Sequence, residues 1–404
     1  MQKNTVKIAM YLNYFVFSIL LNSVGIVILK SQINYGVDEL QASILEAFKD
    51  LPIAIVSFLV ASFLPRIGYK KAMLIGLGLV AFACVSMYFG NSFQSAKLLF
   101  ATVGISFALI KVSVYSLIGT VTENQKEHNS LMSSIEGVFM LGIALAYFLF
   151  PAFNSEANPD AWLNVYWLLA GISLVSFAFL FFTKFENQTE ISGVNLADDF
   201  AQMFKLFAKL LTIVFVISAF LFVMIEQGIM SWLPTFNSKV LHLPQNISIM
   251  MASILAVTLA IGRLLAGIIT KKINWIWVLS FCIVVAMLIV IFVLPKTVGL
   301  EVKEINSLGD IPIIGFAFPL VGLFIAPIYP LLNSVVLSAL PQKLHSSMTG
   351  LIVVFSALGG TLGSRIIGYL FKNEGPESAF YYTLIPMSLL LISFFILKKL
   401  TSKR

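Results

Sequence analysis

LTIVFVISAFLFVMIEQGIMSWL, residues 211 to 233, is almost wholly apolar up to Glu226 and Gln227 and becomes apolar again directly afterwards. At 1.5 Å of rise per residue, a helix of about 20 apolar residues crosses the hydrocarbon layer of a membrane. An unpaired carboxylate at that depth costs about 2.5 kcal/mol or more. The stretch therefore predicts a transmembrane helix whose Glu226 faces a protein or aqueous interior.

Similar apolar runs recur along the whole chain of 404 residues, of which 59% are hydrophobic and 11% are charged. The mean hydropathy of +0.95 is far above that of soluble domains. The sequence predicts an all-α integral membrane protein with twelve transmembrane helices, at approximately 8–30, 39–64, 72–91, 97–119, 131–153, 163–183, 209–236, 247–270, 276–295, 311–340, 347–371 and 379–399. The first run is expected to be retained, because polar SQINYG follows it without a cleavage pattern.

Basic residues in the connections predict the orientation, since Lys and Arg are retained on the cytoplasmic side. With the N-terminus inside, sixteen of them fall on the cytoplasmic side, and six on the opposite side: Lys30, Lys97, Lys239, Lys296, Lys303 and Lys372. We therefore expect a multi-pass protein of the plasma (bacterial inner) membrane with both termini cytoplasmic. The net charge of +7 is assigned to this topology and to anionic lipids, so nucleic acid is not an expected partner.

The longest polar connection, TKFENQTEISGVNLADDFAQMFKLF at 183–207, separates six predicted helices from six. The predicted domains are an N-terminal bundle at 1–184, a central cytoplasmic loop at 185–208 and a C-terminal bundle at 209–404. A short basic turn follows the second helix of each half, PRIGYKK at 65–71 and TKKINW at 270–275. These turns indicate an internal repeat, as in transporters built from two related halves.

The stretch ASFLPRIGYKK at 61–71 resembles the loop between helices two and three of the major facilitator superfamily. Arg66, Gly68, Lys70 and Lys71 match its G-x-x-x-D-R-x-G-R-K pattern, whereas Ala61, Pro65 and Tyr69 depart from it. The resemblance implies the major facilitator fold, with two six-helix bundles. It also implies a central cavity lined by helices one, four, seven and ten.

Further motifs are similar to those of the fucose/galactose/glucose proton symporters within that superfamily. They are GYKKAMLIGLGL at 68–79, EQGIMSW at 226–232, GRLLAG at 262–267, PIYP at 327–330 and SSMTGLIVVFSALGG at 346–360. This resemblance implies sugar transport coupled to protons. The chain has Leu21-Asn22-Ser23 where that group has Asn-Asp in helix one, and Lys111 lies near the position of its helix-four Glu, so those carboxylates are not carried over.

Eight ionisable residues fall inside the predicted helices, four acids and four bases, and such residues mark pathways or compensate each other. Together with polar residues on the expected cavity helices they give two sets of candidates. The candidates for substrate binding or coupling are Glu226, Gln227, Lys111, Asp50, Asn22, Asn333 and Arg365. The candidates for gates or structural ion pairs are Glu46, Lys49, Glu136, Arg263, Arg66, Lys70 and Lys71.

Several roles stay open from the sequence. Lys111 either pairs with Glu136, Asp50 or Glu46, or binds an anionic group of the substrate. Glu226 binds substrate or a proton, pairs with Arg365 or Lys111, or donates a structural hydrogen bond as the protonated acid.

Other charged residues and the helix breakers also keep two interpretations. Glu136 is expected to hydrogen-bond at an inner gate or to take a proton, and Arg263 to cap carbonyls or tie that gate. Arg365 is expected to meet Glu226 or Asp50, or to form an outer-gate pair. Pro319, Pro327 and Pro330 predict interruptions of helix ten, and Gly359, Gly360 and Gly363 allow either bending or close helix packing.

The sequence predicts a secondary active transporter that moves a small polar solute by alternating access. A sugar or sugar derivative with proton symport is favoured. The alternatives are an anionic or zwitterionic solute such as an organic acid or small peptide, multidrug efflux, and a non-transporting sensor. No enzyme, cofactor or metal site is expected, since no catalytic or ligand spacing occurs. The expected partners are the solute, a coupling proton and membrane lipids, and the expected state is a monomer.

Overall fold

The computed structural model describes residues 2–155, 157–185, 205–270, 272–297, 307–340 and 344–401. These residues are predominantly α-helical and include no β-strand. The chain divides into two compact units, one of Met1–Gly36 with Phe48–Leu196 and one of Val37–Ala47 with Ala197–Arg404. The predicted domain limits at 1–184, 185–208 and 209–404 stay a prediction, because most of the central loop lies outside the described residues.

The helices of the N-terminal half match the first six predicted spans. They are α1 Gln2–Asn22, α2 Val24–Tyr35, α3 Glu39–Ala42, α4 Ile44–Ile67, α5 Tyr69–Gly90, α6 Phe93–Val121, α7 Gln125–Leu149 and α8 Val165–Phe182. The first span is interrupted at Ser23, whose hydroxyl donates to the carbonyl of Leu20 at 2.8 Å. Within the first unit α1 packs on α6, α7 and α8, and α5 packs on α6 and α8.

The second predicted span begins with a short helix rather than with one continuous helix. Asp38 caps α3 by accepting from the backbone N–H of Gln41, and the Gln41 side chain returns a bond to the backbone of Asp38. Such a capping box satisfies two backbone donors at a helix start. The main helix, α4, follows at Ile44 and carries three charged residues in its first two turns.

The C-terminal half contains α9 Leu210–Lys239, α10 Gln245–Ile269, α11 Trp275–Thr297, α12 Ile313–Ala317, α13 Val321–Ile325, α14 Ile328–Ser338, α15 His345–Asn373 and α16 Leu384–Thr401. The predicted interruption of helix ten is confirmed, because this span is divided into α12, α13 and α14, with a short 3-10 turn that contains Pro319 between α12 and α13. Each proline lacks a backbone N–H to donate, which weakens a continuous helix. Within the second unit α9 packs on α10, α15 and α16.

Eleven helical segments of the described residues are long and apolar enough to cross a membrane. The helix at the remaining predicted span is α4, with 24 residues.

Trp167 and Trp277 are 46% and 62% exposed, as expected of side chains at a membrane interface. Trp162, by contrast, is fully buried.

Candidate functional site

Glu226 lies near the middle of α9 and is paired with Arg263 of α10. Arg263 Nη2 donates to Glu226 Oε1 at 3.0 Å, and the two side chains are 31% and 11% exposed. The negative charge is therefore compensated inside the second unit, which lowers the cost of holding it in a transmembrane helix. The sequence had suggested Arg365 or Lys111 as the partner of Glu226, and a capping or gate role for Arg263.

Polar groups of α14 lie close to this pair. The Tyr329 ring stacks on Phe222, one turn before Glu226, with 5.5 Å between centroids. Its hydroxyl is 3.3 Å from Ser356 Oγ and lies beside the Asn333 side chain. Asn333 Oδ1 is buried and has no hydrogen-bond partner among the described residues. Because buried acceptors are normally satisfied, this oxygen can accept from a solute hydroxyl or N–H.

Two glycines of α15 allow that helix to touch the backbone of α9. A Cβ atom at Gly359 would lie 2.3 Å from the carbonyl oxygen of Phe220, and one at Gly363 would lie 2.3 Å from that of Met224. No real Cβ atom fits at such a distance, so the structure supports the packing interpretation of these glycines. Trp232 Nε1 also donates to Ser364 Oγ at 3.0 Å. The face of α9 that carries Phe220, Met224 and Trp232 is therefore held by α15, and Glu226 lies on the opposite side of the helix.

The segment Val37–Ala47 is attached to the rest of the second unit by charged side chains. Lys372 Nζ donates to Asp38 Oδ2 at 2.8 Å, and Lys239 pairs with Glu39. The hydrogen bond from Lys372 lowers the pKa of Asp38 below its ordinary value of 3.8. These contacts involve the ends of α9 and α15 rather than their middles.

Arg365 and Glu46 also join this segment to the second unit. Arg365 Nη1 donates to the Leu40 carbonyl at 2.5 Å, and Ser231 Oγ donates to Glu46 Oε2 at 2.8 Å. Glu46 and Ser231 are both buried. Arg365, expected to meet Glu226 or Asp50 or to form an outer-gate pair, thus contacts a backbone carbonyl.

Lys111 of α6 lies among aromatic rings in the first unit. Its Nζ atom is 5.8 Å from the centroid of Phe107 and 5.9 Å from that of Tyr115. Among the residues that the structure describes, no carboxylate lies within ion-pair distance of Lys111, although Glu136 acts on it electrostatically. Cation–π contacts offset only part of the cost of removing an ammonium group from water. Lys111 is therefore a cation whose nearest described contacts are neutral.

Glu136 of α7 is held by a phenol. Tyr115 Oη donates to Glu136 Oε1 at 2.7 Å, and Tyr14 stacks on Tyr115 with 6.2 Å between ring centroids. Because α7 begins at Gln125, Glu136 lies about three turns inside the helix. Lys111, Tyr115, Glu136 and Tyr14 together form one polar and aromatic cluster, which we call the Lys111 cluster.

The other candidates of the first unit make local contacts. Lys49 Nζ is 3.5 Å from Oδ1 of Asp50, the next residue of α4. Asn22 donates to the Ser18 carbonyl at 2.8 Å within its own helix. In the second unit, Gln227 is partly exposed beside Glu226. These positions leave the Lys111 cluster and the Glu226–Arg263 pair as the two most developed polar sets inside the spans.

The basic loop after α4 has a structural contact. Lys70 Nζ donates to the carbonyls of Phe181 at 2.8 Å and Thr183 at 2.7 Å, at the end of α8. A cation there satisfies terminal carbonyls and complements the helix dipole. Lys71 is exposed, and the side chain of Arg66 lies outside the described part of the chain.

Sequence reasoning missed two ion pairs that join α1 to the start of α7. Lys7 Nζ lies 2.6 Å from Glu127 Oε1, and Lys3 Nζ lies 3.0 Å from Glu123 Oε1. The bond from Lys7 lowers the pKa of Glu127 below its ordinary value. The pairs join residues 120 positions apart, so local spacing gave no signal for them.

No three His, Cys, Asp or Glu residues of the described part of the chain lie close enough together to hold a metal ion.

The sequence matches the profile of the Major Facilitator Superfamily over residues 8–364. The chain belongs to this superfamily. It is accordingly a multi-pass integral membrane transporter with the twelve-helix, two-bundle major facilitator fold, as the loop at 61–71 had suggested. No curated protein sequence gives a significant match.

Solved structures of this superfamily resemble the chain over nearly its whole length. A bacterial homolog of the human lysosomal transporter Spinster gives a TM-score of 0.80 at 14% identity, covering 100% of this chain and 98% of that one. The nucleoside transporter NupG gives 0.74 at 15% identity, covering 98% and 100%. The Escherichia coli fucose:proton symporter FucP gives 0.64 at 13% identity, covering 98% and 99%. At these identities the likeness establishes the fold alone.

Proposed function

We propose that this transporter is a secondary active symporter that moves a sugar derivative bearing an anionic group, such as a sugar acid, together with a proton. The observation that carries the proposal is the Lys111 cluster. Its ammonium group lies inside a transmembrane helix and has no carboxylate partner among the described residues. A carboxylate or phosphate of the solute would complete that ion pair.

The surroundings of Lys111 suit a compact polar solute. Tyr14, Phe107 and Tyr115 present aromatic rings near the ammonium group. Aromatic faces can stack on a sugar ring, while the Tyr115 hydroxyl and Glu136 give hydrogen-bonding groups beside it. A long amphiphilic cation, which an efflux pump would carry, would instead meet a positive charge here.

The second unit supplies the groups for coupling. Proton binding at Glu226 would remove the negative charge that Arg263 contacts at 3.0 Å, so that Arg263 would be released to another partner. Asn333 Oδ1, which is buried without a hydrogen-bond partner among the described residues, is a further acceptor within the same unit. This exchange of a basic partner for a proton connects solute binding to the proton gradient.

The thermodynamic gain from such coupling is large enough to drive accumulation. A monoanionic solute that moves with one proton carries no net charge across the membrane, so the pH gradient drives its accumulation and the membrane potential does not. A gradient of about one pH unit is worth about 1.4 kcal/mol and corresponds to about a tenfold ratio of solute concentrations across the membrane. An uncoupled carrier would only equalise the two concentrations.

The proposal includes a monomer in the plasma (bacterial inner) membrane with both termini cytoplasmic. The excess of basic residues in the connections on one side supports that orientation. Neutral sugars, small peptides and cationic dyes are the alternative solutes to be tested.

A ligand panel tests the solute class directly. Purified protein is heated with hexuronates, neutral hexoses, dipeptides or a cationic dye, because a ligand that binds only the folded state raises the melting temperature. We expect hexuronates to stabilise the parent protein most, and Lys111→Ala to abolish that shift. Lys97→Ala is the matched control, since Lys97 lies over Phe93 in the first two turns of the same helix and is partly exposed.

The same panel contains the results that would reject the proposal. Stabilisation by a neutral hexose or a dye that exceeds stabilisation by every acid would reject the anionic solute. An unchanged hexuronate shift in Lys111→Ala would reject Lys111 as its binding residue. Uptake of the same hexuronate into proteoliposomes then separates transport from mere binding.

A further inference from the structure

An apolar groove runs along the second unit between α10, α11 and the interrupted helices of span ten. Its volume is about 470 Å³, and its walls include Leu265, Ile269, Trp277, Phe281 and Phe324. Trp277 and Phe281 are 62% and 63% exposed, so this face of the unit is open to its surroundings. Among the residues that the structure describes, no charged side chain lines the groove. A polar solute would lose its hydrogen bonds to water there without replacing them.

Two basic side chains lie near one end of the groove. Lys398, in the last turn of α16, lies with its Nζ atom 5.5 Å from the centroid of Trp277. Lys272 is exposed in the turn that joins α10 to α11, next to the groove residue Ile273. The groove therefore has an apolar interior and a basic mouth that is marked by an exposed tryptophan.

We propose that this groove binds one acyl chain of an anionic phospholipid of the bilayer, with the phosphate of the headgroup at Lys398 and Lys272. A groove in a membrane-facing surface is surrounded by acyl chains, and a chain inside it restores the dispersion contacts that an incompletely packed surface lacks. Basic side chains near the membrane surface attract anionic headgroups. An interfacial tryptophan at the mouth suits the boundary between the chain and the headgroup.

This lipid site is separate from the proposed solute site. The solute site needs charged and hydrogen-bonding groups, and among the described residues the groove lining offers only the Cys282 thiol and the Trp277 indole N–H as polar side-chain groups. The lipid is therefore a resident ligand of the transporter rather than its cargo. Failure of one proposal leaves the other intact, since they rest on different residues.

Cys282 provides a built-in reporter, because it lines the groove and the only other cysteine is Cys84. Purified Cys84→Ala protein in detergent is reacted with a small maleimide, with dioleoylphosphatidylglycerol or dioleoylphosphatidylcholine added. We expect phosphatidylglycerol at about ten times its dissociation constant to slow labelling about tenfold. Phosphatidylcholine is expected to slow it much less at the same concentration.

Charge variants test the headgroup contact. Lys398→Ala is expected to weaken protection by phosphatidylglycerol about fivefold. Lys399→Ala is the matched control, because it removes the same charge from the next residue, which is exposed. This variant is expected to keep protection by phosphatidylglycerol within about twofold of the parent protein, a smaller change than that expected for Lys398→Ala.

A second measurement replaces the thiol reaction if Cys282 does not label in the lipid-free protein. Phosphatidylglycerol with brominated chains is expected to quench tryptophan fluorescence, and Trp277→Phe is expected to remove the quenched component. The proposal would be overturned if phosphatidylglycerol and phosphatidylcholine protected Cys282, or quenched the fluorescence, equally. It would also be overturned if phosphatidylglycerol protected Lys398→Ala as well as it protects the parent protein. Protection by a cationic amphiphile alone would also overturn it and would make the groove a site for such compounds.

Discussion

Replacing Glu226 with glutamine removes one negative charge from the middle of α9 and keeps the size of the side chain. The amide oxygen of glutamine can still accept the hydrogen bond that Arg263 Nη2 donates at 3.0 Å. The variant therefore mimics a permanently protonated Glu226. If Glu226 carries the coupling proton, the variant should bind and exchange solute but should not respond to the proton gradient.

The expected magnitudes follow from the pH gradient and from the exposure of the pair. With a gradient of about one pH unit, one proton coupled to a monoanionic solute supports about tenfold accumulation, which should fall to about onefold in Glu226→Gln. Breaking a fully buried ion pair costs about 3–5 kcal/mol. Because Arg263 is 31% exposed and keeps a neutral acceptor, we expect a loss of only about 1 kcal/mol in unfolding free energy.

The assay compares uphill uptake with counterflow in proteoliposomes that contain equal amounts of folded protein. Glu226→Gln should lose uphill uptake and retain counterflow. Glu46→Gln is the matched control, because Glu46 is another buried carboxylate of the second unit and accepts from Ser231 at 2.8 Å. Undiminished uphill uptake by Glu226→Gln would refute the coupling role, and equal losses in both variants would show that the effect is not specific to Glu226.

Three other substitutions test the structure of the two units. Lys372→Ala should lower the melting temperature more at pH 7 than at pH 3. The hydrogen bond from Lys372 lowers the pKa of Asp38, so the pair is fully stabilising above the ordinary value of 3.8 and loses its effect as pH falls through the lowered pKa. The partly exposed pair is worth about 0.5 kcal/mol, and equal shifts at both pH values would contradict this. Gly363→Val should lower the free energy of unfolding by about 1–3 kcal/mol, whereas Gly267→Val, at an uncrowded helical position, should lower it by well under about 1 kcal/mol. Similar losses of stability in the two variants would argue against the close contact of α15 with α9. Lys70→Ala should cost about 1 kcal/mol in the same assay by removing both carbonyl contacts at the end of α8, and an unchanged melting temperature would mean that water replaces the lysine there.

The membrane-spanning helices were predictable because their signal is local and strong. Each predicted span needs only a long apolar run, and the prolines of span ten indicated its interruption. The short helix α3 before α4 was not predicted, although Asp38 and Gln41 carry a recognisable capping box. The apolar pattern of the second span is continuous, so it gave no sign of the break between α3 and α4.

The ion-pair partners were not predictable from the sequence, because they depend on the rotation and height of neighbouring helices. Glu226 meets Arg263 across 37 residues of chain, and no periodicity within α9 or α10 identifies which basic residue lies opposite. The attachment of the Val37–Ala47 segment to the second unit likewise depends on contacts with Lys239, Arg365 and Lys372, which lie far away in sequence.

The balance of four acids and four bases inside the spans does not translate into four ion pairs. Lys111, Glu136 and Arg365 have neutral groups as their direct contacts among the described residues: aromatic rings, a phenol, and a carbonyl with a hydroxyl. A charge that is held by neutral dipoles can accept a charged partner without first breaking a salt bridge, which for a buried pair costs about 3–5 kcal/mol. Arg365 lies at a carbonyl and Glu136 at a strong donor, so both are largely satisfied, whereas aromatic rings stabilise an ammonium group by only about 0.5–2 kcal/mol. Of these three groups, Lys111 therefore gains most from an arriving anion.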